Sequence, residues 1–218
     1  FDGIERDWEF RRKFAMDHEK IVFFVGRMVN EKGVQVIIDA IPKICSYYND
    51  VKFVFAGKGP ELEHLRWLAN QTGYGHKVVF TGYISDEDLL KLYKCVDIAT
   101  FPSLYEPFGI VALEAMLSGT PVVVSDIGGL NEIVDHGING MKSYAGNANS
   151  LADSILTLLY DPQLCDKVAK NAKLSLNSDE SVLSKTSLTL DDLNNFDWKV
   201  AIGDETFSLN EFKDCSAS

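Results

Sequence analysis

The sequence has no run of about eighteen apolar residues, so no part of it can cross a bilayer as a helix. It has no Cys-x-x-Cys pair. Cys45, Cys95, Cys165 and Cys215 lie far apart, which points to free, mostly buried thiols in an intracellular, cytoplasmic protein. The histidines His18, His64, His76 and His136 show no metal-ligand spacing, and no metal is expected. Positive charge is in deficit: 21 Lys and Arg against 32 Asp and Glu give a net charge of −11. That balance argues against a nucleic-acid binder, because phosphate backbones attract basic faces. A nucleotide ligand stays open, since its phosphates need only a local pocket. The opening Phe1-Asp2-Gly3-Ile4-Glu5 has neither an initiator Met nor a basic stretch leading into an apolar one. It reads as an internal cut in a longer protein, not as a signal peptide.

An apolar fraction of 46% in 218 residues suffices for a core of ordinary domain size. From Ile21 to about Ser175, short apolar runs alternate with helical patterns, as βαβ units of a parallel sheet do. Strands are expected at Ile21–Val25, Val51–Ala56, Val78–Phe80, Ile98–Phe101 and Val122–Val124. The first is a continuous apolar run of the kind buried on both faces. Helices are expected at 32–45, 60–70, 108–117, 128–134, 148–160 and 162–174, with one more after Ser85, an N-cap followed by three acids. Five or six parallel strands with crossover helices make a Rossmann-like α/β sandwich. Residues 1–19 form a lead-in and 20–174 the domain. Residues 175–218 form an acidic appendix with nine acids and three bases. A short strand and helix are expected there near Trp198–Phe212.

In an open α/β sheet, ligands bind beyond the carboxyl ends of the strands. The loops at those positions are Gly26-Arg27-Met28-Val29-Asn30-Glu31-Lys32-Gly33, Gly57-Lys58-Gly59-Pro60, Thr81-Gly82-Tyr83-Ile84 and the stretch from Pro102 to Gly109. Glycine lets backbone N–H groups approach phosphate oxygens, Arg27 can grip oxygens in a fork, and Lys32 supplies a compact charge. Glycine turns also serve loop geometry alone. The most informative stretch is Glu106-Pro107-Phe108-Gly109-Ile110-Val111-Ala112-Leu113-Glu114. A helix starting there offers uncovered N–H groups and a positive dipole end, an anion site that needs no metal. Glu106 stands just before it. Glu114 stands inside the helix among Val111, Leu113 and Met116, where an exposed helix acid is the competing reading.

Taken together, these motifs resemble the retaining glycosyltransferases of the GT-B fold, the group that includes glycogen synthase-like and sucrose synthase-like enzymes. The resemblance covers roughly residues 20–174, corresponding to that family's C-terminal domain. It rests on Gly26-Arg27…Lys32-Gly33, Gly57-Lys58-Gly59-Pro60, Val79-Phe80-Thr81-Gly82, Glu106…Glu114 and Ser125-Asp126-Ile127-Gly128-Gly129-Leu130…Glu132. It implies a nucleotide-sugar donor, UDP-, GDP- or ADP-linked, and no further cofactor. Arg27 and Lys32 would hold the diphosphate, and Glu106 the hydroxyls of the transferred sugar. The amides of Phe108, Gly109 and Ile110 would contact sugar and phosphate, Glu114 the ribose, and the turn from Phe80 to Tyr83 the base. Retention of anomeric configuration comes with the resemblance.

Three departures accompany the resemblance. The family's acceptor-binding N-terminal domain lies outside this sequence. Asn131 stands where many members have proline. The family usually ends with a helix that returns to the N-terminal domain, whereas here the chain goes to Leu193–Val200 and Gly203-Asp204-Glu205, a tail resembling an acidic segment of a helicase-associated region of bacterial SWI/SNF-type proteins. Two other functions fit the same fold: a non-catalytic nucleotide-sugar-binding module, and a GT-B-type nucleotide-sugar epimerase with acid and base carboxylates of its own.

Overall fold

The computed structural model describes residues 5–177. The expectations for the acidic tail beyond them, including the strand and helix near Trp198–Phe212, lie outside the described residues.

Six parallel strands form one sheet: β1 (Lys20–Val25), β2 (Val51–Ala56), β3 (Val78–Gly82), β4 (Ile98–Phe101), β5 (Val122–Ser125) and β6 (Met141–Ser143). Their spatial order is β3-β2-β1-β4-β5-β6, the doubly wound Rossmann-like arrangement. Eight helices accompany them among the described residues: α1 (Trp8–Arg11), α2 (Val34–Tyr47), α3 (Leu62–Gln71), α4 (Asp86–Cys95), α5 (Ile110–Ser118), α6 (Gly128–Ile133), α7 (Ala148–Tyr160) and α8 (Pro162–Asn177). α2 packs against α3 and α7, whereas α4 packs against α1 and α5, and α5 against α8. Right-handed crossovers put these two sets on opposite faces of the sheet. Both faces are therefore covered, which is why Ile21 to Val25 can be apolar without alternation and is wholly buried.

Local chemistry sets the helix ends. The Ser85 hydroxyl accepts from the Asp88 amide at 3.2 Å, so α4 starts where its cap and its acidic first turn place it. α2 starts at Val34 rather than Lys32, because Gly33 takes a left-handed conformation (φ 72°) and leaves Lys32 in a separate 3-10 turn, Asn30–Lys32. α5 starts at Ile110 rather than Phe108 for the same reason, with Gly109 at φ 76°. Pro60 lies in the turn before α3 and not in its first turn. β6 is three residues long, too short to stand out as an apolar run. In α6 the Asn131 amide donates to the Ile127 carbonyl at 3.2 Å, a bond that proline could not make, and its side chain accepts from Lys142.

The lead-in is bolted to the domain by buried charge. Arg11 is 1% exposed and its guanidinium donates to the carbonyls of Cys95, Met16 and Glu19 and to the Asp97 carboxylate at 2.9 Å. Asp97 also meets Arg6 and Lys20 and accepts from the Ile21 amide at the start of β1. A buried guanidinium is tolerable only with its donors filled, and here one side chain ties α1 to the amino ends of β1 and β4. Arg11→Met should strand the carbonyls of Cys95 and Glu19 and weaken the hold on Asp97. A loss of about 3 kcal/mol in urea denaturation of the 218-residue chain is expected.

Candidate functional site

The strand order reverses between β1 and β4, which are neighbours in the sheet although β2 and β3 intervene in sequence. In open α/β sheets ligands bind at such a switch point, beyond the carboxyl ends of the strands. Lys32 comes from the β1 side and Glu106 from the β4 side. They meet across it with Nζ 2.6 Å from Oε2.

The two loops are stitched together by main chain. The amides of Leu104 and Tyr105 donate to the Glu31 carbonyl at 2.7 and 3.3 Å. Gly33 lies so close to Pro102 that a Cβ would fall 2.0 Å from its carbonyl oxygen. On the other side, the Gly129 amide donates to the Glu106 carbonyl at 2.9 Å, and a Cβ at Gly128 would meet that same oxygen at 2.1 Å. The Ser125 hydroxyl, at the end of β5, donates to the Ser103 carbonyl at 2.6 Å. Glu106 thus rides on a loop clamped from both flanks.

Glu106 is 7% exposed, and its carboxylate is well supplied. Oε2 accepts from Lys32 and, at 3.4 Å, from the Ser103 hydroxyl; Oε1 accepts from the Gly109 amide at 3.3 Å. It sits at the positive end of α5, whose first amides, Ile110 and Val111, have no partner within the helix. An ammonium, a helix start and a carboxylate are therefore assembled within hydrogen-bonding distance. The first two suit a phosphate, the third a hydroxyl.

Other residues expected at the site are distributed along the same rim. Arg27 is exposed and its side chain makes no hydrogen bond or ion pair among the described residues, so its guanidinium is open to an anion. The amides of Gly26, Gly33 and Gly57 are already spent on the carbonyls of Ala56, Asn30 and Gly82. A Cβ at Gly57 would lie 2.0 Å from the Gly26 carbonyl oxygen, and one at Gly59 2.3 Å from that of Met28. Gly33, Gly57 and Gly59 shape the rim by close loop packing, and Gly26, Gly33 and Gly57 have no N–H left for phosphate. On β3, two strands from β1, Phe80 packs edge-on against Phe55, and beyond it Tyr83 is exposed with the Lys58 ammonium 5.6 Å from its ring centroid. Phe108, half exposed, directly precedes the α5 cap.

Glu114, one turn into α5, is 1% exposed rather than a solvated helix acid. Its Oε2 accepts from the Tyr93 phenol of α4 at 3.3 Å, while its buried Oε1 has no partner among the described residues. Burial drives its carboxyl well above the ordinary value of 4.5, and the Tyr93 hydrogen bond only partly opposes this. An unfilled acceptor in the interior is costly unless something outside the apo protein fills it. Sequence reasoning assigned no part to Ser103 or Tyr93. Ser103 was legible as the residue three before Glu106, but Tyr93 sits on a different helix and only the fold brings it near.

A parallel sheet with a lysine–glutamate pair at its switch point has the frame on which open α/β proteins hold ligands, and comparison with known proteins narrows the class. The sequence profile of the family described as glycosyl transferases group 1 matches residues 6–175. An uncharacterised glycosyltransferase of Methanocaldococcus jannaschii is 46% identical over 175 residues, 78% of this chain and 45% of that protein. The glycogen synthase of Mycobacterium tuberculosis is 35% identical over 176 residues, 79% of this chain and 42% of the enzyme. Anabaena HepE in complex with UDP and glucose superposes with a TM-score of 0.74 at 28% identity, over 82% of this chain and 49% of that one. The C-terminal domain of the group 1 glycosyltransferase LpcC from Francisella tularensis gives 0.73 at 26% identity, over 83% of this chain and 95% of that domain. The chain belongs to the group 1 glycosyltransferases, with the fold of the C-terminal half of a GT-B enzyme. It spans less than half the length of the curated relatives it matches.

The state of Glu114 has a measurable consequence. Because its pKa is raised in the folded protein, folding favours the protonated form. This contribution is complete below the unfolded value near 4.5 and is lost as pH rises through the folded value. Glu114→Gln has no such loss and keeps an acceptor for Tyr93. Its melting temperature should therefore gain on wild type between pH 5 and pH 8, by roughly 2–4 °C if the burial cost is about 1 kcal/mol. A difference that stays constant with pH would contradict the buried-carboxylate assignment.

Proposed function

We propose that this chain is the donor-binding half of a glycosyltransferase that moves a sugar from a nucleoside diphosphate to an acceptor hydroxyl with retention of configuration. The observation that carries the proposal is the Lys32–Glu106 pair at the start of α5, in the crevice between β1 and β4. HepE, similar in fold, is described with UDP and glucose, which supports a UDP-sugar as the first donor to try.

On this reading the diphosphate lies at the α5 start, held by Lys32 and the exposed Arg27. The bond from the anomeric carbon to the phosphate oxygen breaks and its electron pair leaves with the diphosphate. The two cations and the helix end stabilise that developing charge without a metal. The acceptor oxygen bonds to the anomeric carbon on the face being vacated, and its proton passes to the departing phosphate oxygen. Glu106 orients the sugar by accepting from its hydroxyls, and Glu114 accepts from the ribose. Tyr83 and Phe80 border the base. An acceptor must be held against the donor for transfer, and in this proposal a partner domain equivalent to the relatives' other half supplies that surface. The three thiols among the described residues are unpaired, which supports a cytoplasmic setting.

A thermal-shift panel of UDP, GDP and ADP and their sugars checks this. The matching nucleotide at about 100 times its Kd should stabilise the chain by about 2.7 kcal/mol, with no change on adding EDTA. Lys32→Ala should weaken binding roughly 10- to 100-fold, the loss of one charge-assisted contact. The proposal fails if no nucleotide shifts the wild type or if Lys32→Ala responds as well as wild type. A shift abolished by EDTA would overturn its metal-free part.

A further inference from the structure

We propose that Tyr93 is a positioning residue for the nucleotide site. Its phenol holds Oε2 of Glu114, so that Oε1 is the oxygen left to accept from a ribose hydroxyl, and ribose is thereby distinguished from deoxyribose. The inference rests on the reading of Glu114 as the ribose acceptor.

The geometry supports a fixed post rather than an incidental contact. Tyr93 is 1% exposed, and its ring meets Phe23 of β1 edge-on, with centroids 5.6 Å apart at 88°. Its own carbonyl accepts from the Thr120 hydroxyl at 2.6 Å, which ties the end of α4 to the turn after α5. The phenol oxygen reaches α5 twice, 3.3 Å from Glu114 Oε2 and 3.4 Å from the Val111 carbonyl. A phenol has one hydrogen, and an ionised carboxylate is a stronger acceptor than a carbonyl, so the bond to Glu114 is favoured once that group is charged. Burial first, and the Glu114 charge second, push the phenol well above its ordinary range, so it stays a donor. Of the two carboxylate oxygens, one is therefore occupied and the other, Oε1, is buried with nothing to accept from among the described residues. Buried polar groups are normally paired, and a site built to hydrogen-bond a hydroxyl rejects a ligand lacking it, because the site's own group is then left unfilled.

The test compares UDP with 2′,3′-dideoxyUDP by calorimetric titration of wild type, Glu114→Gln and Tyr93→Phe (or the GDP or ADP pair, if the thermal panel selects it). Wild type should prefer the ribonucleotide by at least about tenfold, and Glu114→Gln should bring the ratio near one. Tyr93→Phe should cut the ratio to within about threefold, mainly through weaker UDP binding, with dideoxyUDP affinity unchanged within about twofold. A merely structural role would weaken both ligands alike, and that result overturns the proposal, as does a Tyr93→Phe ratio equal to wild type. If wild type itself shows no preference, the Glu114 reading falls and this inference with it; a preference lost in Glu114→Gln but kept in Tyr93→Phe sinks this inference alone. Should Tyr93→Phe fail to fold, wild-type chain carrying [13Cζ]tyrosine replaces it. The tyrosine signal displaced by Glu114→Gln should move on adding UDP and not dideoxyUDP, and an equal response to both overturns the assignment.

Discussion

Val22 and Phe23 of β1 run beside Ile98 and Ala99 of β4, and the position of every charged group at the far rim depends on that pairing. Two strands well separated in the chain lie side by side, and the loops leaving their carboxyl ends are joined where Leu104 meets Glu31 and Pro102 meets Gly33. The same pairing is anchored at its other end by Arg11 and Asp97, which join α1 to the starts of both strands. The buried ionic cluster and the candidate site thus sit at opposite ends of one pair of strands. The first secures the frame on which the second is displayed.

At the open end, two carboxylates on neighbouring turns of chain are held in contrasting ways. Glu106 has an ammonium, a hydroxyl and an amide around it, so its charge is compensated within the protein. Glu114 has one phenol and an unpaired oxygen in the interior, so its charge is poorly compensated. The first is a rigid, neutralised element of the crevice, while the second retains unmet demand for a donor. Such a division suits a site that must orient one hydroxyl-bearing group and select another.

The glycines of the rim have a plainer role than their spacing suggests. Gly33, Gly57, Gly59 and Gly128 each lie where a side chain would strike a carbonyl oxygen of an adjoining loop. Their absence of a side chain lets four strand-end loops nest together, and Lys32 and Glu106 can then face each other across a short gap. Motif recognition finds these residues correctly for a reason that is largely steric. The α5 start shows the same economy: Gly109, left-handed, ends the preceding turn and aims its amide at Glu106.

The parallel sheet, the alternation of its elements and the family were all legible in the chain, because doubly buried strands must be apolar runs and the Glu106 to Glu114 stretch has few structural rivals. Ser85 and its acids marked a helix start by local hydrogen bonding, which needs no partner from afar. Helix starts governed by left-handed glycines were placed two residues early, since hydrophobic spacing does not report φ. Whether Glu114 was solvated or interior could not be read from its neighbours, because burial depends on α4 crossing α5. Tyr93 and the Arg11–Asp97 tie were invisible for the same reason. Periodicity and propensity act over a few residues, whereas a carboxylate's partners, and therefore its charge state, come from segments that only the folded sheet brings together.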